Sequence, residues 1–170
     1  MGLLGSETFE SMRDLLEHHL QDLNDAETRL LDAFGDLKQK ASEPRLAALF
    51  GEQKQQAAAD RERIEAALAG LGLEAERETC PAMKGLIKEA QEMVDATGDD
   101  QVIDAALIQS AQRLLHYKIA GYGSVRCQLA AEGEDDLARL MQKSLDDAKS
   151  ADERLAELAT EVVNSRAAAA

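Results

Sequence analysis

The sequence predicts an all-α protein, and three observations carry that prediction. Aromatic residues make up 3% of the 170 positions, tryptophan is absent and there are only two prolines. Ala, Leu, Glu, Asp, Lys, Arg and Gln dominate, a composition rich in helix formers and poor in the β-branched and aromatic residues that favour strands. Apolar residues recur at helical spacing over long stretches separated by short breaks.

The first helix is expected over 7–41, with Ser6 as a candidate N-cap. Its stripe reads Phe9, Met12, Leu16, Leu20, Leu23, Glu27, Leu30, Phe34 and Leu37, while Arg13, Asp14, His18, Asp22, Asp25, Arg29 and Asp32 face away. Glu27 breaks the stripe. In LNDAETRLL (23–31) it stands four residues after Leu23 and three before Leu30, on the leucine face. A charge there is costly unless it is paired or bound to a metal.

SEP at 42–44 reads as a stop and a restart, because Ser42 can cap and Pro44 fits a first turn. The second helix is expected over 43–69. Its stripe of Leu46, Leu49, Phe50, Gln53, Ala57, Asp60, Ile64 and Leu68 is apolar at both ends and polar or small in the middle. GLG at 70–72 ends it, and 72–80 form a connection. Thr79-Cys80-Pro81 opens a shorter helix to 96, with Met83, Leu86, Ile87, Ala90, Met93 and Val94 on one side.

TGDD at 97–100 is a loop and cap, and the third long helix is expected over 100–131. Ile103, Leu107, Ile108, Ala111, Leu114, Leu115, Tyr117, Ile119, Tyr122 and Val125 make it apolar nearly all round, so neighbours must enclose it. Gly121 and Gly123 would let another helix approach closely. AEGEDD at 131–136 breaks and recaps the chain. The last helix runs to 165 with Leu137, Leu140, Met141, Ser144, Ala148, Asp152, Leu155, Leu158 and Val162 on its stripe.

The plan is two long helices joined tightly, a long crossover carrying a short helix, and two more long helices. That is the ferritin-like antiparallel four-helix bundle, expected as one domain over 1–166 with a disordered tail at 167–170. An up-down bundle of unrelated ancestry is the competing architecture, and the lack of repeats argues against a solenoid.

Composition excludes several functions. A formal net charge of −14 and a pI near 4.6 repel phosphate backbones, so no nucleic-acid partner is expected. No apolar run approaches the ~20 residues of a membrane span. The start, MGLLGSETFESM, has neither the basic head nor the apolar run of a secretory signal. MGLLGS fits the crude myristoylation pattern, but nothing else supports a lipid anchor. Cys80 and Cys127 stand alone without a CxxC, which suggests reduced, partly buried thiols and a cytoplasmic location.

Four segments resemble the YciE/YciF family of ferritin-like bacterial stress proteins: LQDLNDAETRLL at 20–31, ETCPAMKGLIKEA at 78–90, VIDAALIQSAQRLLHYKIAGYG at 102–123 and LDDAKSADERLAELA at 145–159. They fall in family order and cover most of the chain. The second and third are specific, since neither is a general feature of helical bundles. The resemblance implies a ferritin-like bundle, often a homodimer, and in many members a carboxylate-bridged di-iron site in the bundle core. The general template takes one Glu from each of two helices and a Glu-x-x-His from each of the other two.

This sequence departs from that template. Leu15, Leu16 and Arg113 stand three residues before His18, His19 and His116, so no Glu-x-x-His exists. The resemblance makes Glu27 a first ligand and sets acidic residues or His around Gln53, Gln56 and Asp60. It sets Glu at the positions of Leu115 and Lys118, and at Ala148, while Asp152 remains acidic. Between Asp104 and Glu132 there is no Asp or Glu at all, so the third long helix has no carboxylate at mid-bundle and offers only His116. Glu27, Asp60 and Asp152 with His116 would be a residual weak site for one iron or manganese ion, short of a di-iron centre.

Ordinary roles compete with each of these. Asp60 and Asp152 read as edge residues with solvated heads, His116 as a hydrogen-bonded core or interface residue, and His18 and His19 as surface residues. Tyr117 and Tyr122 read as core aromatics with satisfied hydroxyls. Lys118 then supplies the missing positive charge, pairing with a buried Glu27 with help from Gln53 or Gln56. The function expected first is a non-catalytic, stress-associated structural or interaction protein, with no catalytic residue and no cofactor. Its partner is a second copy, through the outer face of the third long helix, or a protein the sequence does not name. The alternative is an iron- or peroxide-acting oxidoreductase of the di-iron or mononuclear metal class. A small-ligand carrier is a third reading, and an iron-storage cage is disfavoured.

Overall fold

The computed structural model describes residues 8–75 and 79–170, and among them there is no β-strand. α1 spans Met12–Lys40, α2 Pro44–Gly70, α3 Pro81–Val94, α4 Asp100–Ala131 and α5 Asp135–Leu158. α5 continues through a π-helical turn, Ala159–Val163, into a last short helix α6, Asn164–Ala167.

The expected cap Ser6 lies outside the described residues. Ser11 caps α1 instead, in a reciprocal capping box with Asp14, and α1 therefore begins at Met12. Phe9 and Met12, placed on the stripe by their spacing, are 43% exposed because they precede or open the first turn. Between α1 and α2 the cap is Glu43 rather than Ser42. Ser42 turns to α4: its N–H and hydroxyl both donate to the buried carboxylate of Asp104, as does the N–H of Glu43, at 2.6–2.9 Å. α3 is capped by the Cys80 thiol, which accepts from the Met83 N–H at 3.3 Å.

Cross-links between helices give the topology. α1 meets α4 in opposite direction, from His19 beside Gln128 to Ser42 beside Asp104. α2 meets α5 likewise, from Glu43 beside Arg166, through Glu52 beside Arg154, to Arg63 beside Ser144. The four long helices thus run up, down, down and up, with the crossover joining α2 to the parallel, diagonal α4. This is the ferritin-like plan. α3 lies on α1 and α4, burying Met83 and Ala90.

The π turn explains one departure from the predicted stripe. An i→i+5 turn carries one extra residue, which rotates the following positions around the axis. Val163 is therefore buried, and Val162, on the 3.6-residue stripe, is only half-buried. The two glycines of α4 also differ. A Cβ on Gly121 would come 2.7 Å from Leu23 Cδ2, so Leu23 would have to shift to admit one, whereas nothing lies within 4 Å at Gly123.

The interior consists of two apolar clusters. One gathers Leu30, Phe34, Phe50, Leu107, Leu114 and Leu155, and the other Leu16, Leu20, Ile64, Leu68, Tyr122 and Met141. Glu27, Asp60 and Lys118 stand in sequence between members of the two clusters on α1, α2 and α4, and are themselves wholly buried.

Candidate functional site

Those three residues meet. Lys118 Nζ lies 3.1 Å from Glu27 Oε1 and 3.0 Å from Asp60 Oδ2, and all three side chains have no exposure to water. The ammonium thus links α1, α2 and α4. Helical spacing places each group: Glu27 falls on the leucine face of α1, Asp60 is three residues after Ala57 and four before Ile64, and Lys118 is four before Tyr122.

Further groups satisfy the carboxylates. The Tyr122 hydroxyl donates to Glu27 Oε1 at 2.7 Å. Asp60 Oδ1 accepts from Gln56 Nε2 at 3.1 Å and from Arg63 Nη1 at 2.8 Å. Gln56 and Arg63 both reach on to Asp147 Oδ2 on α5, at 2.9 Å each, and Arg63 also donates to Ser144. All four long helices therefore contribute to one polar cluster. Gln53 is buried, but its Oε1 has no partner, so Gln56 joins the cluster and Gln53 does not. Glu27 Oε2 is likewise buried and unpartnered.

Burial pushes Glu27 up to about 7, and the nearby Asp60 charge adds to this against the opposing pull of Lys118. Burial disfavours the Lys118 ammonium, yet the charges of Glu27 and Asp60 outweigh it and hold Lys118 above its ordinary value. Tyr122 is raised well above its usual range by burial and by Glu27, so it stays a neutral donor.

The other candidates lie elsewhere. His116 is exposed, its side chain 66% accessible, and its Nε2 sits 3.1 Å from Asp152 Oδ2. Asp152 also accepts from Gln112 Nε2 at 3.1 Å. Of the two positions expected for a hydrogen-bonded His116, core or interface, the core one is corrected: the residue lies on the outward side of α4. Asp60, read as an edge residue, is instead fully buried, while Asp152 is partly exposed. The set Glu27, Asp60, His116 and Asp152 is split between the interior and the surface. Ala148 and Leu115 are buried apolar residues. His18 and His19 are half-buried, with His19 beside Gln128.

These donors do not fit a two-metal carboxylate centre. Such a centre needs several carboxylates converging on the metals. Here Glu27 and Asp60 converge on an ammonium, and Arg63 occupies the second oxygen of Asp60. Among the described residues, no group of three or more His, Cys, Asp or Glu is arranged to hold a metal ion.

A second polar cluster fastens α3. The Cys80 N–H donates to Asp25 Oδ2 at 2.9 Å, and the Cys80 thiol lies 3.0 Å from the Tyr117 hydroxyl, which donates to Asp22. Burial pushes the Cys80 thiol up, which favours its protonated form. Cys127, expected to be partly buried, is exposed on α4.

Sequence reasoning did not assign Asp60, Arg63, Tyr122 or Asp147 to a cluster with Lys118. A signal was present for two of them: Asp60 lies on the buried stripe of α2, and Arg63 follows at the i,i+3 spacing of a helical ion pair. Asp147 and Tyr122 join only through packing across helices.

Comparison with known proteins agrees with this fold. The family described as a domain of unknown function (DUF892) matches residues 11–168. The chain is 33% identical over 159 residues to Protein YciF of Escherichia coli (strain K12), covering 93% of this chain and 96% of that protein. The crystal structure of the E. coli stress protein YciF superposes with a TM-score of 0.88 over 92% of this chain and 99% of that one. YcfI of Rhodopseudomonas palustris, proposed to be a structural protein, matches with a TM-score of 0.84 at 32% identity, over 88% and 96% of the two chains. No helix among the described residues is long and apolar enough to cross a membrane.

Proposed function

The chain belongs to the DUF892 family, and on that premise we propose that it is a non-catalytic, stress-associated structural or interaction protein that works without a di-iron centre. One observation carries this reading: the bundle interior between the two apolar clusters holds the Glu27–Lys118–Asp60 ion cluster, in which both carboxylates share one lysine ammonium. The similarity to a protein described as a stress protein supports the stress association, and the similarity to YcfI supports the structural role. Glu27, Asp60 and Lys118 are wholly buried and paired with one another, and Arg63 and Gln56 tie Asp60 to α5, an arrangement suited to fixing helix register rather than to turnover.

Elemental analysis of the chain purified without a His-tag tests the proposal. The expected result is far less than one metal ion per chain. Roughly two iron or manganese ions per chain, the content of the two-metal template, would overturn it in favour of an oxidoreductase acting on iron or peroxide. A structural role implies association, and a homodimer is the state we propose. Light scattering checks it against the 18.4 kDa chain mass.

A further inference from the structure

We infer that Lys118 is a tethered cation standing where a divalent metal ion would bind between Glu27 and Asp60, and that removing this one side chain turns the pair into a divalent-cation site. The inference rests on the reading above and adds what holds the site closed.

The geometry is that of a cation and its oxygen shell. The Lys118 ammonium lies 3.1 Å from Glu27 Oε1 and 3.0 Å from Asp60 Oδ2, on two different helices and fully out of water. A first-row divalent ion takes carboxylate oxygens at roughly 2.0–2.2 Å, so each oxygen has only about 1 Å to close. Glu27 Oε2 is buried and has no partner, a free lone-pair donor already inside the cluster.

Charge points the same way. Asp60 keeps Arg63 on its Oδ1 and shares that guanidinium with Asp147, so without Lys118 Glu27, Asp60 and Asp147 have one cation among them. What loses its counter-charge is Glu27 with the Oδ2 side of Asp60. Two buried carboxylates facing one another would repel unless a proton or a cation intervenes. Truncation at Lys118 also frees volume beyond Cβ, where water can complete a metal's coordination. On this account the wild-type chain excludes metal because its own cation outcompetes one, being attached at no cost in concentration.

The test uses the full chain and Lys118→Ala, each stripped with chelator and titrated with Co2+ alone. Thermal unfolding and visible Co2+ absorption are the readouts. The expected result for Lys118→Ala is a rise in Tm of roughly 5–10 °C at a hundred times the dissociation constant, with Co2+ bands saturating at one ion per chain. The triple variant Lys118→Ala/Glu27→Gln/Asp60→Asn should lose both responses. Lys118→Gln, which keeps a neutral donor and the approximate size, is the fallback for folding and should show a weaker but measurable Co2+ response. Lys118→Ala and Lys118→Gln that ignore Co2+, or that stay unfolded with and without it, overturn the inference. A wild-type chain that binds metal stoichiometrically overturns both this inference and the reading under Proposed function, whereas variants that ignore Co2+ beside a metal-free wild type overturn the inference alone.

Discussion

Lys118 on α4 and Glu27 on α1 form a fully buried ion pair at 3.1 Å, and Asp60 on α2 shares the same ammonium at 3.0 Å. Removing one partner of a buried pair strands the other, which typically costs about 3–5 kcal/mol. Lys118→Met should therefore lower stability by about that amount, because it strands two carboxylates. Glu27→Gln should cost less, since Asp60 still holds Lys118. The Glu27→Gln/Lys118→Met chain should recover part of the loss, with a coupling of more than about 0.5 kcal/mol in a double-mutant cycle by urea unfolding. Additive losses would refute direct pairing.

Glu27 should leave a mark on the pH dependence of stability. Burial raises it from an ordinary 4.5 to about 7 in the folded chain. Between these values the folded state holds a proton that the unfolded state has lost. The contribution is complete below pH 4.5 and declines as pH rises through 7. The slope is at most about 1.4 kcal/mol per pH unit. The difference in stability between wild type and Glu27→Gln should accordingly fall with rising pH across this window and level off above it. Urea midpoints measured from pH 4.5 to 8 check it, and a difference that rises with pH would contradict it.

The two glycines of α4 should respond oppositely to alanine. At Gly121 the new Cβ meets Leu23 Cδ2 at 2.7 Å, so Leu23 must move and overpacking of about 1–3 kcal/mol is expected. At Gly123 the space is open, and replacing a helix-interior glycine should stabilise the protein by about 0.5–1 kcal/mol. Thermal denaturation of the two single variants separates these outcomes.

Asp104 should matter out of proportion to its position at the bundle end. Its carboxylate accepts from two backbone N–H groups and the Ser42 hydroxyl, and so pins the α1–α2 turn to α4. Asp104→Ala leaves the buried Glu43 N–H unsatisfied, at a cost of about 1–3 kcal/mol, and takes the partner from both Ser42 donors. Ser42→Ala removes a single donor and should cost about 1 kcal/mol. Equal effects of the two variants would mean that the backbone bonds contribute nothing.

Most of the fold is legible in the sequence, because helix periodicity and caps are local properties. The bounds of α4 follow from Asp99 and the Gly133 turn, and α2 and α3 begin at their prolines. The start of α1 was less legible: Ser6 and Ser11 are both competent caps, and Asp14 three residues after Ser11 is what selects the second. The π turn after Leu158 was not legible, since nothing in ATEVV departs from helical composition.

The candidate site divides the same way. By itself the sequence determined that Glu27 and Asp60 share faces with apolar residues, and that no carboxylate from α4 could join them at mid-bundle. It left His116 and Lys118 as the polar candidates on that stretch of α4. Two residues apart, they differ by about 200° around the helix axis, so only one can point inward. Tertiary structure decided which one: α4 rotates Lys118 toward α1 and α2 and leaves His116 beside Asp152 at the surface. That rotation is set by how four helices, distant in sequence, bury their apolar faces together: Lys118 shares a face with Leu114 and Tyr122, but on a helix apolar nearly all round spacing alone does not select that face.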